Sequence, residues 1–312
     1  MKLPTSLFIW TLVITAVAIG SWMLATRDSN LLPASNKDTI TIVTTIFPLT
    51  DIAENIGGNR INIVQLLPPG ASPHSYTITP QQLADIQNAS VLLNIGHDLD
   101  SWAVEQATKT ANIPVVQVDK NIELQEFALD STHEDEHEEE NDHNHRHEEG
   151  SIDPHYWLTI PNAQKIAKTI TATLQDIDPE HSEEYESNLQ DYLAKLNETE
   201  MELQKMAQQA EQTKFIAIHD AWSYFAQHYG LELIATYEPV EGREPSIQDI
   251  QELQEIIREH NITTFFTEPQ KQSTSATRFL ENDFGLNIKT IDPIGNGSYI
   301  KTMLQNMRTL TQ

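Results

Sequence analysis

The feature that most narrows the possible fold is a repeated alternation of short, β-branched apolar runs with longer stretches of helical periodicity. The runs fall at residues 39–46, 61–67, 91–95 and 115–118, and after a break at 215–218, 231–237, 262–267 and 288–291. Strands of this length with helices between them mean parallel sheets covered by helices on both faces. Two α/β halves of four strands each are therefore expected. Between them Pro179 opens a segment, running to about Ala210, that contains no Gly and no further Pro. Tyr185, Leu189, Leu193, Leu196, Leu203 and Met206 recur along it at helical spacing. About 30 residues at 1.5 Å each make a rod of roughly 45 Å, a stiffer bridge than a Gly/Ser linker would give. The expected organisation is an export or anchor segment at 1–30, an N-terminal lobe at 39–178, a linker helix at 179–212 and a C-terminal lobe at 213–312.

Local helix signals agree with this layout. Thr79-Pro80-Gln81-Gln82 places an N-cap residue, Pro at the first helical position and Gln at the capping-box position, with Leu83 and Ile86 on one face behind them. Ser246-Ile247-Gln248-Asp249 repeats the logic, followed by Ile250, Leu253 and Ile257. At 312 residues the chain is long enough for two ordinary domains, each with its own core.

Composition removes whole classes of function. A net charge of −27 without a basic patch argues against nucleic acid as a partner. An acidic balance suits cations, although solubility alone also explains it. Met1-Lys2, the largely apolar stretch from Leu7 to Ala25 and the small residues Ala18-Ile19-Gly20 have the form of a secretory signal. The stretch is also long enough to act as an uncleaved anchor. Either way, the rest of the chain is expected to be periplasmic or otherwise extracytoplasmic. There is no cysteine, which rules out thiolate ligation, disulfides and cysteine lipidation and leaves imidazole and carboxylate for any metal chemistry.

Three histidines stand in distinctive contexts: His74 in Gly70-Ala71-Ser72-Pro73-His74, His155 in Asp153-Pro154-His155-Tyr156-Trp157, and His219 in Phe215-Ile216-Ala217-Ile218-His219-Asp220. In open parallel sheets, ligands bind beyond the carboxyl ends of the strands. His219 follows one expected strand and Asp292 another. His74 lies in the loop after 61–67, and His155 ends the connection after 115–118. All four fall at the same end of the expected sheets, two from each half, so a metal site in the cleft between lobes follows. Each residue alone also fits an ordinary turn, and Asp292-Pro293 is a common turn start. His97, in Gly96-His97-Asp98, follows a strand too and is a weaker candidate. His181, His228 and His260 lie on expected helices or their ends and read as structural or surface residues.

At these positions the chain resembles the zinc-receptor branch of the metal-binding proteins of ABC importers, the ZnuA-like proteins of the TroA-like superfamily (metal-binding cluster A-I). The stretches that carry the likeness are Pro73-His74-Ser75-Tyr76 through Pro80, Asp153 to Leu158, His219 to Phe225 with Tyr229-Gly230-Leu231, Glu244-Pro245-Ser246, Thr267-Glu268-Pro269-Gln270 and Ile291 to Gly295. The resemblance implies two α/β lobes bridged by one long helix, with the metal in the cleft. It implies His74, His155 and His219 as nitrogen ligands and Asp292 at a fourth position that in relatives is a carboxylate or water. Manganese receptors of the superfamily usually have a carboxylate where His219 stands, so a His there favours zinc over Mn²⁺. Three imidazoles with at most one carboxylate suit Zn²⁺ better than Mg²⁺, Ca²⁺ or Mn²⁺. Cu²⁺ would also bind such a set in vitro. The chain lacks the C-lobe disulfide that some relatives carry.

The resemblance further implies a monomeric, non-enzymatic receptor that delivers Zn²⁺ to an ABC permease and its ATPase. Within an expected loop at about 130–151, the segment from His133 to Glu149 is almost entirely His, Glu and Asp, with His133, His137, His143, His145 and His147 among carboxylates. So few apolar residues cannot order themselves. The implied role is that of a low-affinity zinc collector or sensor, and the bland alternative is a solvated charge run. Two other readings compete for the whole chain. One is a zinc-dependent hydrolase with Glu268 or Glu244 as base, although neither a His-Glu-x-x-His helix nor a Gly-x-Ser-x-Gly elbow is present. The other is an exported metal buffer or adhesin that works without a transporter.

Overall fold

In the computed structural model, residues 39–127, 151–238, 246–272 and 275–312 are described. The N-terminal apolar stretch, the His- and acid-rich segment and Glu244 lie outside the described residues. Eight strands form where the apolar runs expect them. β1 (Ile40–Thr44), β2 (Ile61–Gln65), β3 (Val91–Asn94) and β4 (Val115–Gln117) pair in the order β2-β1-β3-β4. β5 (Lys214–His219), β6 (Glu232–Glu238), β7 (Thr264–Thr267) and β8 (Asn287–Thr290) repeat that pattern as β6-β5-β7-β8. Every pairing is parallel. In each sheet the central first strand is fully or nearly fully buried along most of its length, as sheets covered on both faces require.

The helices start where their caps expect them. α1 (Phe47–Gly57) carries Pro48 in its first turn. α2 (Pro80–Gln87) opens on a complete capping box between Thr79 and Gln82. α3 (Ser101–Gln106) runs on into a single π turn, and α4 (Ile160–Ile177) is capped by the Thr159 hydroxyl. α5 (Ser182–Gln208) is the long bridge, 27 residues after a 3-10 turn at Pro179–His181 and so about 40 Å in length. In the C-terminal half, α6 (Ser223–Tyr229) follows β5, and α7 (Ile247–Glu259) opens on the Ser246/Asp249 capping box. α8 (Ser275–Phe284) and α9 (Tyr299–Thr311) complete the chain. Among the described residues, no helix is long and apolar enough to cross a membrane.

The halves do not keep separate cores. One buried cluster runs from Ile42, Leu49 and Ile52 through Tyr156, Trp157 and the α5 stripe to Trp222, Phe225, Tyr299 and Met307. Two smaller clusters fill the far faces, one around Ile216, Phe265 and Leu280 and the other around Val43, Leu92 and Ala103. The physical reason is a shared helical layer. α5 packs on α4, α1 and α9, so the last helix of the chain lies against the first lobe. Along α5 the seam is Tyr185, Leu189, Tyr192, Leu196, Thr199, Leu203 and Ala207, with Tyr192 rather than Leu193 fully buried. Polar pins reinforce the layer: Trp157 Nε1 donates to the Pro293 carbonyl at 2.7 Å, and the Tyr299 hydroxyl donates to the Trp157 carbonyl at 2.6 Å.

Glu200, on α5, takes the Tyr229 hydroxyl at 2.8 Å and meets His228 Nε2 at 2.7 Å, which ties the bridge to α6. Burial acts to raise its carboxyl, but bonds from His228, Tyr229 and Gln204 hold it below the usual glutamate value. A carboxyl depressed in the fold contributes stability that is fully present above its unfolded value of about 4.3 and is lost as pH falls through the folded value. Glu200→Gln should therefore cost about 1–2 kcal/mol at neutral pH. Urea unfolding at a series of pH values should show the deficit shrinking below about pH 4.3; a deficit independent of pH would refute the assignment.

Candidate metal centre

Three imidazoles from distant parts of the chain meet at the carboxyl ends of the two sheets. His219 is the last residue of β5, His74 lies in the loop between β2 and α2, and His155 closes the connection from β4 to α4. One nitrogen from each lies within 4.8 Å of the other two, and among the described residues this is the group of three or more His, Asp or Glu that converges in this way. Ring centroids are 5.4 Å apart for His74–His155, 5.5 Å for His155–His219 and 5.9 Å for His74–His219. Zinc bound tetrahedrally at about 2.0–2.1 Å needs nitrogens roughly 3.3 Å apart, a spacing in reach of small ring movements from this cluster. His155 and His219 are buried and His74 is exposed, which makes His74 the ring with room to move. Its loop is tied to the lobe by Trp102 Nε1, which donates to the Pro73 carbonyl at 2.8 Å, and by Tyr76, which packs on Trp102 and donates to Gln82 at 3.0 Å.

Each buried imidazole is held by a buried carboxylate. Asp153 Oδ1 accepts from the His155 backbone N–H at 2.9 Å and lies 2.8 Å from its Nδ1. Glu268, directly after β7, sets Oε1 2.5 Å from His219 Nδ1, and its Oε2 accepts from Gln270 Nε2 at 2.7 Å. A carboxylate on Nδ1 selects the Nδ1–H tautomer and leaves the Nε2 lone pair for a metal. Asp153 and Glu268 are almost wholly buried. Sequence reasoning did not assign them this positioning role, although Asp-x-His spacing in a Pro-stiffened turn is a signal for the first of them. Trp157, Pro293 and Ile294 wall the cleft with apolar surface. Its central free volume of ≈ 10 Å³ is about that of one water-sized sphere.

Asp292, expected at the fourth position, sits in the turn after β8. Its Oδ1 accepts from the backbone N–H groups of Ile294 at 3.0 Å and Gly295 at 2.7 Å. Its own N–H and carbonyl bond Asn306. The carboxylate that lines the cleft is Glu268. The remaining described histidines stand elsewhere: His181 pairs with Asp178, His228 with Glu200, His97 with Asp119, and His260 lies near Lys214.

This geometry has close counterparts. The family model described as "zinc-uptake complex component A periplasmic" (ZnuA) matches residues 42–312. The high-affinity zinc uptake system protein ZnuA of Bacillus subtilis (strain 168) is 30% identical over 287 residues, 88% of each chain. The manganese-binding lipoprotein MntA of Halalkalibacterium halodurans is 26% identical over 308 residues, 96% of this chain and 94% of the relative. Among solved structures, a crystal structure of ZnuA matches with a TM-score of 0.76 at 29% identity, covering 88% of this chain and 98% of that one. A zinc-bound deletion mutant of ZnuA gives 0.74, also at 29% identity, over 88% and 96%. The family match begins within the first strand and ends at the final residue, and on that basis the chain belongs to the ZnuA family.

Proposed function

We propose that this chain is an extracytoplasmic receptor that captures Zn²⁺ in the cleft and hands it to an ABC permease and its ATPase. The observation that carries this reading is the convergence of His74, His155 and His219 with a buried carboxylate behind each of the two buried rings. Three neutral imidazoles form a borderline-soft nitrogen set suited to Zn²⁺, whereas Mn²⁺ calls for more oxygen donors. That chemistry favours zinc although a manganese-binding protein is among the relatives. A hydrolase must admit a substrate beside its metal-bound water, and a free volume of ≈ 10 Å³ has room for an ion and little more. In this reading His74, His155 and His219 are the ligands and water takes the fourth position, because Asp292 is engaged by two backbone N–H groups. The segment around His133, His137, His143, His145 and His147 serves as a low-affinity collector, and the N-terminal stretch exports or tethers the protein.

Calorimetric zinc titration with chelator competition tests each part. The triple variant His74→Ala, His155→Ala, His219→Ala should lose the tight site while keeping its circular dichroism; tight binding that survives would move the principal site to the acid-rich segment. Glu268→Gln and Asp153→Asn should each weaken the tight site by about 10–100-fold, the usual effect of removing a carboxylate that orients a ligating His. Asp292→Asn keeps one acceptor oxygen for the turn and should leave the affinity within about threefold, since in this reading it makes no metal bond. A larger loss would return Asp292 to the ligand set. Deleting residues 131–149 should remove only weak sites, with the tight one untouched.

A further inference from the structure

A second set of donor atoms meets outside the cleft, at the carboxyl ends of β3 and β4. His97 Nε2 lies 3.0 Å from Asp119 Oδ2, the Gln117 amide lies 3.2 Å from the same His97 nitrogen, and that amide is 2.6 Å from Asp119 Oδ2. The three side chains thus present three polar atoms to a single point. As oriented, two N–H donors share one carboxylate oxygen. The oxygen and nitrogen of an amide are interchangeable in placement. With the Gln117 oxygen turned inward, an imidazole nitrogen, a carboxylate oxygen and an amide oxygen all direct lone pairs inward. Edges near 3 Å are those of an octahedron around an ion with bonds of about 2.1 Å.

The backbone is shaped to hold this arrangement. Gly96, His97 and Asp98 all have positive φ, at 85°, 51° and 63°. Two consecutive non-glycine residues in that region are strained and persist only where the surroundings enforce them. The Gln117 amide also packs against Gly96 so closely that a Cβ there would lie 2.3 Å from the amide carbon and push the amide aside. Behind the turn, buried Asp100 accepts from the backbone N–H groups of Ile95 and Gly96 and from the Thr45 hydroxyl, which fixes the loop from the inside. The edge of the His97 ring meets Tyr156, the neighbour of His155. The side chains of His97 and Asp119 remain 16% and 23% exposed, and a broad open groove leads to them.

We propose that His97, Asp119 and Gln117 form a second, exchangeable site for a first-row divalent cation on the N-terminal lobe. One imidazole and two oxygens are harder donors than the cleft trio and leave at least one position for water, so the ion is held more weakly than in the cleft. Long-range ¹H–¹⁵N spectra of the full chain, recorded in zinc-buffered solutions, read this site directly. The His97 ring nitrogens should shift at free Zn²⁺ above the level that saturates the cleft, and Asp119→Asn should move that transition at least about tenfold higher. His97 signals that stay fixed while the other histidines titrate would overturn the proposal and leave a hydrogen-bonded trio; so would a transition unaffected by Asp119→Asn. The wild-type spectrum alone decides the point if the variant does not fold.

Discussion

In a parallel sheet every strand ends on the same edge, and that constraint sets where chemistry can sit in this molecule. Both sheets are built alike, with the second strand on one side of the first and the third and fourth in turn on the other. Loops from both open toward a common cleft, where β5 delivers His219, β7 delivers Glu268, and the connections after β2 and β4 deliver His74 and His155. The three histidines of the cleft come from separate segments of the chain. The site exists only when both halves are folded and held in register by the layer of α1, α4, α5 and α9.

The charges of the cleft suit a dication. Asp153 and Glu268 are carboxylates almost fully removed from water, an arrangement that costs several kcal/mol unless it is compensated. The hydrogen bond between Asp153 and His155 and the close pairing of Glu268 with His219 supply part of the compensation. If the cleft takes a divalent ion as proposed, three neutral rings would add no charge and the two buried carboxylates would offset that of the ion. The same pairing fixes the ring tautomers, so one pair of acids serves both the electrostatics and the geometry.

How much of this was legible in the sequence depended on whether the signal was local. Strand positions and the two capping boxes were, because alternation, β-branching and the Thr79/Gln82 and Ser246/Asp249 spacings act over a few residues. The histidine trio was legible too, because the strand-end rule turns sequence position into spatial position. The local surroundings of Asp292 were less legible. Asp292 precedes a turn whose free N–H groups at Ile294 and Gly295 capture its short side chain, a local competition that Asp enters readily. Glu268 reaches its imidazole because its side chain is longer and the strand before it ends at the cleft. The shared core was hidden for a similar reason: periodicity marks which face of α5 is buried without saying which elements cover it.

The same contacts bear on how an ion would leave. Opening the lobes would break the Trp157–Pro293 and Tyr299–Trp157 bonds, together with the bond from the Gln125 N–H to the Tyr224 hydroxyl. It would also part apolar surface within one continuous core. Displacing the His74 loop would leave most of that core intact, because His74 is exposed and its loop is held by the Trp102–Pro73 and Tyr76–Gln82 hydrogen bonds and the packing of Tyr76 on Trp102. With His155 and His219 held rigidly by their carboxylates, the exposed ring is where a small conformational change alters affinity most. A partner that pulled on the loop between β2 and α2 would remove one of three nitrogens without unfolding either lobe.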